Sequence, residues 1–100
     1  MGKKEAIEIA GKYKKLLEKH FPHDKLYLYG SYATGKSSED SDIDVAVIVN
    51  NIEGDFFEIM PVLWKLRRKV DDRIEPVLID GSSDKSGFLN SIMKTGVEII

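Results

Sequence analysis

Residues 26–49 read LYLYGSYATGKSSEDSDIDVAVIV, and two phosphate-handling patterns overlap in them. Gly30, Gly35, Lys36 and Ser37 fit G-x-x-x-x-G-K-S, the loop whose backbone amides cradle nucleotide phosphates. Gly30-Ser31 followed by Ser41-Asp42-Ile43-Asp44, at the head of an apolar run, reads instead as a carboxylate pair on a strand. The first pattern needs a helix directly after Lys36-Ser37, so that the helix N-terminus faces the phosphates. Only Ser38, Glu39, Asp40 and Ser41 separate Ser37 from Asp42, and Ile43 to Val49 is a β-type run. A P-loop domain also needs several βα units around a parallel sheet, more than 100 residues supply. The strand reading therefore prevails.

Working outward, Leu26 to Tyr29 forms a first strand stopped by Gly30. Ile43 to Val49 forms a second, apolar on both faces beyond Asp44, as expected of an interior strand. Before them, Ala6, Ile9, Ala10, Tyr13, Leu16 and Leu17 recur at helical spacing from about Lys3 to His20, and Pro22 ends that helix. After Asn50, Asn51 and Gly54, Asp55 can cap a helix running to about Val70, with Glu58 completing a capping box. Its stripe is Phe56, Met60, Leu63 and Trp64, and Pro61 predicts a kink or a start nearer Pro61. Ile74 to Ile79 is a third strand, which Pro76 assigns to an edge or a bulge. Ser83 or Asp84 can cap a last helix, Phe88 to Lys94, ended by Gly96. Val97 to Ile100 is either a short strand or a tail that docks on a partner. The order α-β-β-α-β-α, with a tight link between the first two strands, predicts an α/β (α+β) fold: a small mixed sheet backed by helices, one domain over residues 1–100.

The composition supports one modest core, with 42% hydrophobic residues. A net charge of -2 and a pI of 5.7 argue against a nucleic-acid-binding field. Lysines on the first helix and the group Lys65, Arg67, Arg68, Lys69 and Arg73 read as solvated helix faces in preference to a partner patch. Without cysteine, disulfides and thiolate chemistry are excluded. The longest apolar run, Val45 to Val49, falls far short of the roughly 20 residues that span a bilayer, and the N-terminus lacks a signal-type apolar region. A cytoplasmic protein without membrane association is expected. His20 and His23 are too few and too isolated for a zinc site and read as capping or surface residues.

Side chains alternate along a strand, so Asp42 and Asp44 are expected on one face, one pleat apart. Two carboxylates at that distance repel, and a hard cation such as Mg²⁺ resolves the repulsion. Gly30 lets backbone amides approach phosphate, and Ser31 adds a hydroxyl at the same end. Glu75 is the one acidic residue inside a predicted strand after Asp44. An acid in an apolar strand is unfavourable without a partner or ion. Asp71 and Asp72 read as a solvated turn.

Gly30-Ser31 with Ala33 and Gly35, then Ser41-Asp42-Ile43-Asp44-Val45, resembles the signature G-S-x-A-x-G…S-D-I-D-h-x-V, where h is apolar. This is the signature of the DNA polymerase β-like nucleotidyltransferase superfamily, and the chain is similar to its minimal nucleotidyltransferases (MNT). The resemblance implies the polymerase β-like nucleotidyltransferase fold. It implies that Gly30 and Ser31 hold a nucleoside triphosphate, that Asp42 and Asp44 bind two Mg²⁺ ions, and that Glu75 is the third metal-binding, catalytic carboxylate. Lys36 either screens phosphate charge or is solvated. Two departures stand out: Thr34 occupies a position where many members carry Arg or Lys, and the third acid, often Asp, is Glu followed by Pro.

Mg-dependent transfer of a nucleoside monophosphate, AMP from ATP, to a hydroxyl is the expected function. With no second domain to frame a small acceptor, the resemblance implies a partner protein of HEPN type, a Tyr hydroxyl as acceptor, and a role as antitoxin in a toxin-antitoxin system. The alternative is a non-catalytic nucleotide-binding or partner-covering antitoxin module. Polynucleotide extension is disfavoured by the acidity and the missing template-binding regions. Phe57, Trp64 and the C-terminal tail leave room for a homodimer.

Overall fold

The computed structural model describes all residues except 1, 21–22, 24, 38–40, 51–55 and 83–86, and the side chains of residues 56 and 57 also lie outside the description. Its elements are α1 (Lys3–Glu18), β1 (Lys25–Tyr29), α2 (Ser31–Thr34), β2 (Ile43–Val49), α3 (Phe56–Arg67), β3 (Ile74–Asp80), α4 (Phe88–Thr95) and β4 (Val97–Glu98). The strands form one mixed sheet in the order β3-β2-β1-β4. β1 runs antiparallel to β2 and β4, whereas β2 and β3 are parallel and joined through α3, since parallel neighbours need a crossover connection.

Alternation along the strands divides the core in two. Leu26, Leu28, Ile43, Val45, Val47, Ile74 and Leu78 face α1 and α3, packing on Ala6, Ala10, Tyr13, Leu17, Leu63 and Leu66. Tyr27, Ala46 and Ile48 face the other way, onto Leu89 and Ile92 of α4. β2 is covered on both faces, which explains its unbroken apolar run. The Tyr13 hydroxyl donates to Leu63 O at 2.7 Å and ties α1 to α3 inside the core. Burial away from water raises the Tyr13 phenol pKa far above its ordinary value, with the nearby Arg67 charge acting weakly the other way.

β3 is the sheet edge that Pro76 implied. The ladder with β2 is unbroken from Ile43↔Ile74 to Val49↔Asp80, so Pro76 introduces no bulge. Its ring is fully buried on the α1/α3 face, and its missing N–H faces away from the pairing. The tail forms a two-residue strand beside β1, continued by a hydrogen bond from Ile99 N to Leu26 O at 2.8 Å.

Three expectations are corrected. The link between the first two strands contains a one-turn helix, α2, which Gly30 opens and a left-handed Gly35 closes. α3 is continuous from Phe56 through Pro61 instead of starting near the proline. The Pro61 side chain is exposed, so its ring meets solvent and only one helical N–H is lost. Leu63 and Leu66 bury, whereas Trp64 lies at the surface under the Arg67 guanidinium, which stands 4.5 Å from the indole centroid. The proposed ends and caps at Pro22, Asn51, Gly54, Asp55, Ser83 and Asp84 lie outside the described residues. Among the described residues, no helix is long and apolar enough to cross a membrane.

Candidate active site

Register brings the expected site residues to one end of the sheet. Asp44 pairs with Glu75 across the parallel β2/β3 ladder and with Tyr29 across the antiparallel β1/β2 ladder. Glu75, Asp44 and Tyr29 therefore form a row over three adjacent strands, on the face that α4 covers further along. The Glu-Pro departure leaves the third acid in register with Asp44. Asp42 lies one residue before β2 and is exposed, so the two aspartates are not both strand residues as alternation suggested. Its neighbour Ile43 is anchored by donating to Arg73 O at 2.8 Å, which holds the β2 entrance beside the start of β3.

The carboxylates feel one another. Burial raises the Asp44 pKa above the ordinary carboxylate range, and the Glu75 and Asp42 charges raise it further. The Glu75 pKa is raised first by desolvation and then by the neighbouring Asp42 carboxylate. Arg67 opposes this weakly; its Nη1 donates to Ile74 O at 3.2 Å and to Asp72 O, pinning the end of α3 to the start of β3. The Tyr29 phenol is raised by burial and by the charges of Asp44 and Glu75. Like charges in a partly desolvated place each disfavour ionisation of the next.

Gly30 crosses directly above Asp44. Its backbone, at φ 75 and ψ -149, lies in a region that only glycine occupies readily. A Cβ there would fall on Asp44 Oδ2, with Cγ only 3.2 Å away. The chain then turns into α2, where Ala33 N and Thr34 N donate to Gly30 O at 3.1 Å. The Thr34 hydroxyl also donates to Gly30 O, at 3.2 Å, so the residue standing in for the frequent Arg or Lys serves its own turn. Ser31 is half-buried at the start of α2. Lys36 is exposed past the other end, its backbone N–H donating to Ser31 O at 3.0 Å.

Residues 11–100 match the family model described as Polymerase beta, Nucleotidyltransferase. The chain belongs to that family. Its activity class is therefore nucleotidyl transfer, and its mixed four-stranded sheet is the family's fold. A Methanocaldococcus jannaschii protein named "Putative protein adenylyltransferase" is 29% identical over 99 residues, covering 95% of this chain and 99% of the relative. A Sulfolobus solfataricus structure described as a "putative nucleotidyltransferase" superposes with a TM-score of 0.70 at 20% identity, over 96% of this chain and 80% of the other, a likeness of fold alone. A structure described as "the toxin-antitoxin with AMP-PNP" gives a TM-score of 0.68 at 26% identity, over 90% of this chain and 72% of that one.

The structure thus gathers Gly30, Ser31, Asp42, Asp44 and Glu75 at one end of this nucleotidyltransferase domain and leaves Lys36 on its rim. Two residues there escape the sequence reading. Tyr29 reads in the sequence only as a strand end, although alternation within β1 gives its face once the β1/β2 register is known. Phe88 opens α4 and packs edge-on against Tyr29, with ring centroids 5.7 Å apart and planes at 86°. Arg67 and Arg73 are used internally, Arg73 pairing with Asp71 at 2.7 Å, so the central basic group is not one open patch. Asp71 is accordingly an anchored turn residue; its N–H and guanidinium contacts from Arg73 lower its pKa.

Proposed function

We propose that residues 1–100 form a Mg-dependent nucleotidyltransferase domain that moves AMP from ATP to a hydroxyl of a partner protein. The observation that carries this reading is the gathering of three carboxylates at one sheet end: Asp44 lies against the Gly30 backbone and pairs across the ladder with Glu75, and the neighbouring acids raise the pKa of both. Carboxylates placed so that they repel are a poor structural choice and a suitable set of hard donors for divalent cations. Among the described residues, no three His, Cys, Asp or Glu side chains are already drawn into a metal cage. The donor set fits Mg²⁺ in kind, and the side chains would have to draw inward to ligate it.

In this reading Asp42, Asp44 and Glu75 would hold two Mg²⁺ ions, and the Gly30-Ser31 turn would receive the triphosphate. The ions, when bound, supply charge neutralisation at the α-phosphate and the leaving pyrophosphate. The acceptor oxygen forms its bond to the α-phosphorus, the bond to the bridging oxygen breaks, and pyrophosphate departs. The acceptor proton passes to Glu75, the carboxylate on the edge strand β3. Lys36, on the rim, screens phosphate charge.

The relative named a protein adenylyltransferase supports AMP as the group moved and a protein as acceptor. The structural neighbour described as a toxin-antitoxin with AMP-PNP supports an adenine nucleotide and an antitoxin role. A HEPN-type partner with a Tyr acceptor follows from the resemblance to minimal nucleotidyltransferases. The test is calorimetric titration of ATP into the wild type and Asp42→Asn, with Mg²⁺ and again with EDTA, followed by transfer from α-labelled ATP to the partner. Binding should require the metal and weaken more than roughly 100-fold in the variant, beyond what outer-shell changes cost, and label should reach the partner. Binding indifferent to both metal and Asp42 overturns the site; binding without transfer makes the chain a nucleotide-binding cover.

A further inference from the structure

We propose that Asp71, through its clamp on Arg73, is a positioning residue for the carboxylate site and sets how tightly that site takes Mg²⁺. The inference rests on the reading of Asp42, Asp44 and Glu75 as the metal ligands. Two of the three acids are placed by the sheet, because Asp44 and Glu75 face each other in the β2/β3 ladder. Asp42 is not, since it lies one residue before β2 and outside the ladder. The residue after it is Ile43, whose N–H donates to Arg73 O at 2.8 Å. The place of Asp42 therefore depends on the place of the Arg73 carbonyl.

Asp71 governs that carbonyl from both sides. Its Oδ1 accepts the Arg73 backbone N–H at 2.8 Å and Nε at 3.0 Å, while Oδ2 accepts Nη2 at 2.7 Å. Its own carbonyl accepts Ile74 N–H at 3.2 Å, and that N–H belongs to the same peptide group as the Arg73 carbonyl. As a stabilising device the clamp is modest: the Arg73 side chain is 44% exposed, and a surface ion pair contributes little to folding. A bidentate guanidinium–carboxylate pair supplies defined geometry instead. That geometry is spent at the turn entering β3, two residues before Glu75 and beside the β2 entrance. Groups that hold metal ligands in place commonly govern metal affinity.

Calorimetric titration of ATP at graded Mg²⁺ gives the Mg²⁺ concentration for half-maximal binding in the wild type, Asp71→Ala, Arg73→Ala and the double variant. Hydrogen exchange at the Ile43 amide in EDTA reads the clamp without metal. Asp71→Ala should exchange Ile43 faster and need roughly tenfold more Mg²⁺, the lower end of what partners behind metal ligands contribute. Arg73→Ala keeps the backbone bond and should also need more Mg²⁺, by a smaller factor. The double variant should need no more than Asp71→Ala, because the two side chains act as one unit. Charge alone predicts opposite signs: losing the Arg73 charge would favour Mg²⁺, and losing the Asp71 charge would disfavour it. Tighter Mg²⁺ in Arg73→Ala, an unchanged Mg²⁺ requirement in Asp71→Ala, or unaltered exchange at Ile43 overturns the positioning role and leaves the site standing. Asp71→Asn retains an oxygen for the Arg73 backbone N–H and should fall between the wild type and Asp71→Ala, which gives the same reading should the Ala variant fail to fold. A wild type whose ATP binding ignores Mg²⁺ overturns the site and the positioning role together.

Discussion

Gly30 is a residue whose replacement tests backbone and site in one variant. Its conformation is strained for any side chain, and the space a Cβ needs is occupied by the Asp44 carboxylate. Gly30→Ala should therefore lose about 1–3 kcal/mol of stability and displace Asp44, weakening Mg-dependent ATP binding as well. Gly35 is the matched control: it too has positive φ, 79, but nothing lies within 4 Å of the point where a Cβ would stand. Gly35→Ala should cost about 1–2 kcal/mol through the backbone alone and leave ATP affinity unchanged. Urea denaturation and calorimetry on the two variants check both statements; equal ATP affinity in wild type and Gly30→Ala would show that Asp44 does not depend on the Gly30 approach. Gly30, Ser31, Asp42 and Asp44 can be picked out in the sequence because their meaning lies in short spacings and an adjacent apolar run. Tyr29 and Phe88 cannot, since their neighbourhood exists only after β1 pairs with β2 and α4 docks, contacts that no local pattern encodes.

Among the elements, those with long, strongly periodic patterns are legible, and the corrections fall where tertiary context outweighs local preference. α2 is a single turn of four residues, too short to show a period, and it exists because Gly30 and Gly35 can adopt the positive φ angles that open and close it. Pro61 argues for a break, yet the burial of Leu63 and Leu66 in the main core holds α3 helical across it. The cost of the missing N–H should then be recoverable. Since the Pro61 side chain is exposed, replacing it removes little packing. Pro61→Ala should raise stability by roughly 1–3 kcal/mol, short of or up to the full interior-proline penalty, because proline also restricts the unfolded chain. Urea unfolding gives the answer, and a loss of stability would mean that the helix depends on the restriction at Pro61 and not merely tolerates it.

For the molecule as a whole, the acidic end is a place where function opposes stability. Asp44 and Glu75 have folded-state pKa values raised above their ordinary values, first by burial and then by neighbouring carboxylates, Glu75 and Asp42 acting on Asp44 and Asp42 on Glu75. In the pH window between the ordinary and the raised values, the folded protein binds more protons than the unfolded chain. Stability there falls as pH rises, and the deficit is complete above the raised values and relieved below the ordinary ones. In chelator at neutral pH, Asp44→Asn should consequently melt higher than the wild type, and its advantage should shrink as pH falls through that window. Adding Mg²⁺ should reverse the order, because a cation that binds only the folded wild type stabilises it by mass action. Melting curves of both proteins across pH, with EDTA and with Mg²⁺, separate these cases. Were Asp44→Asn to melt lower than the wild type in EDTA, the carboxylate would be contributing to the fold itself, and the repulsion on which the metal reading relies would be too weak to matter.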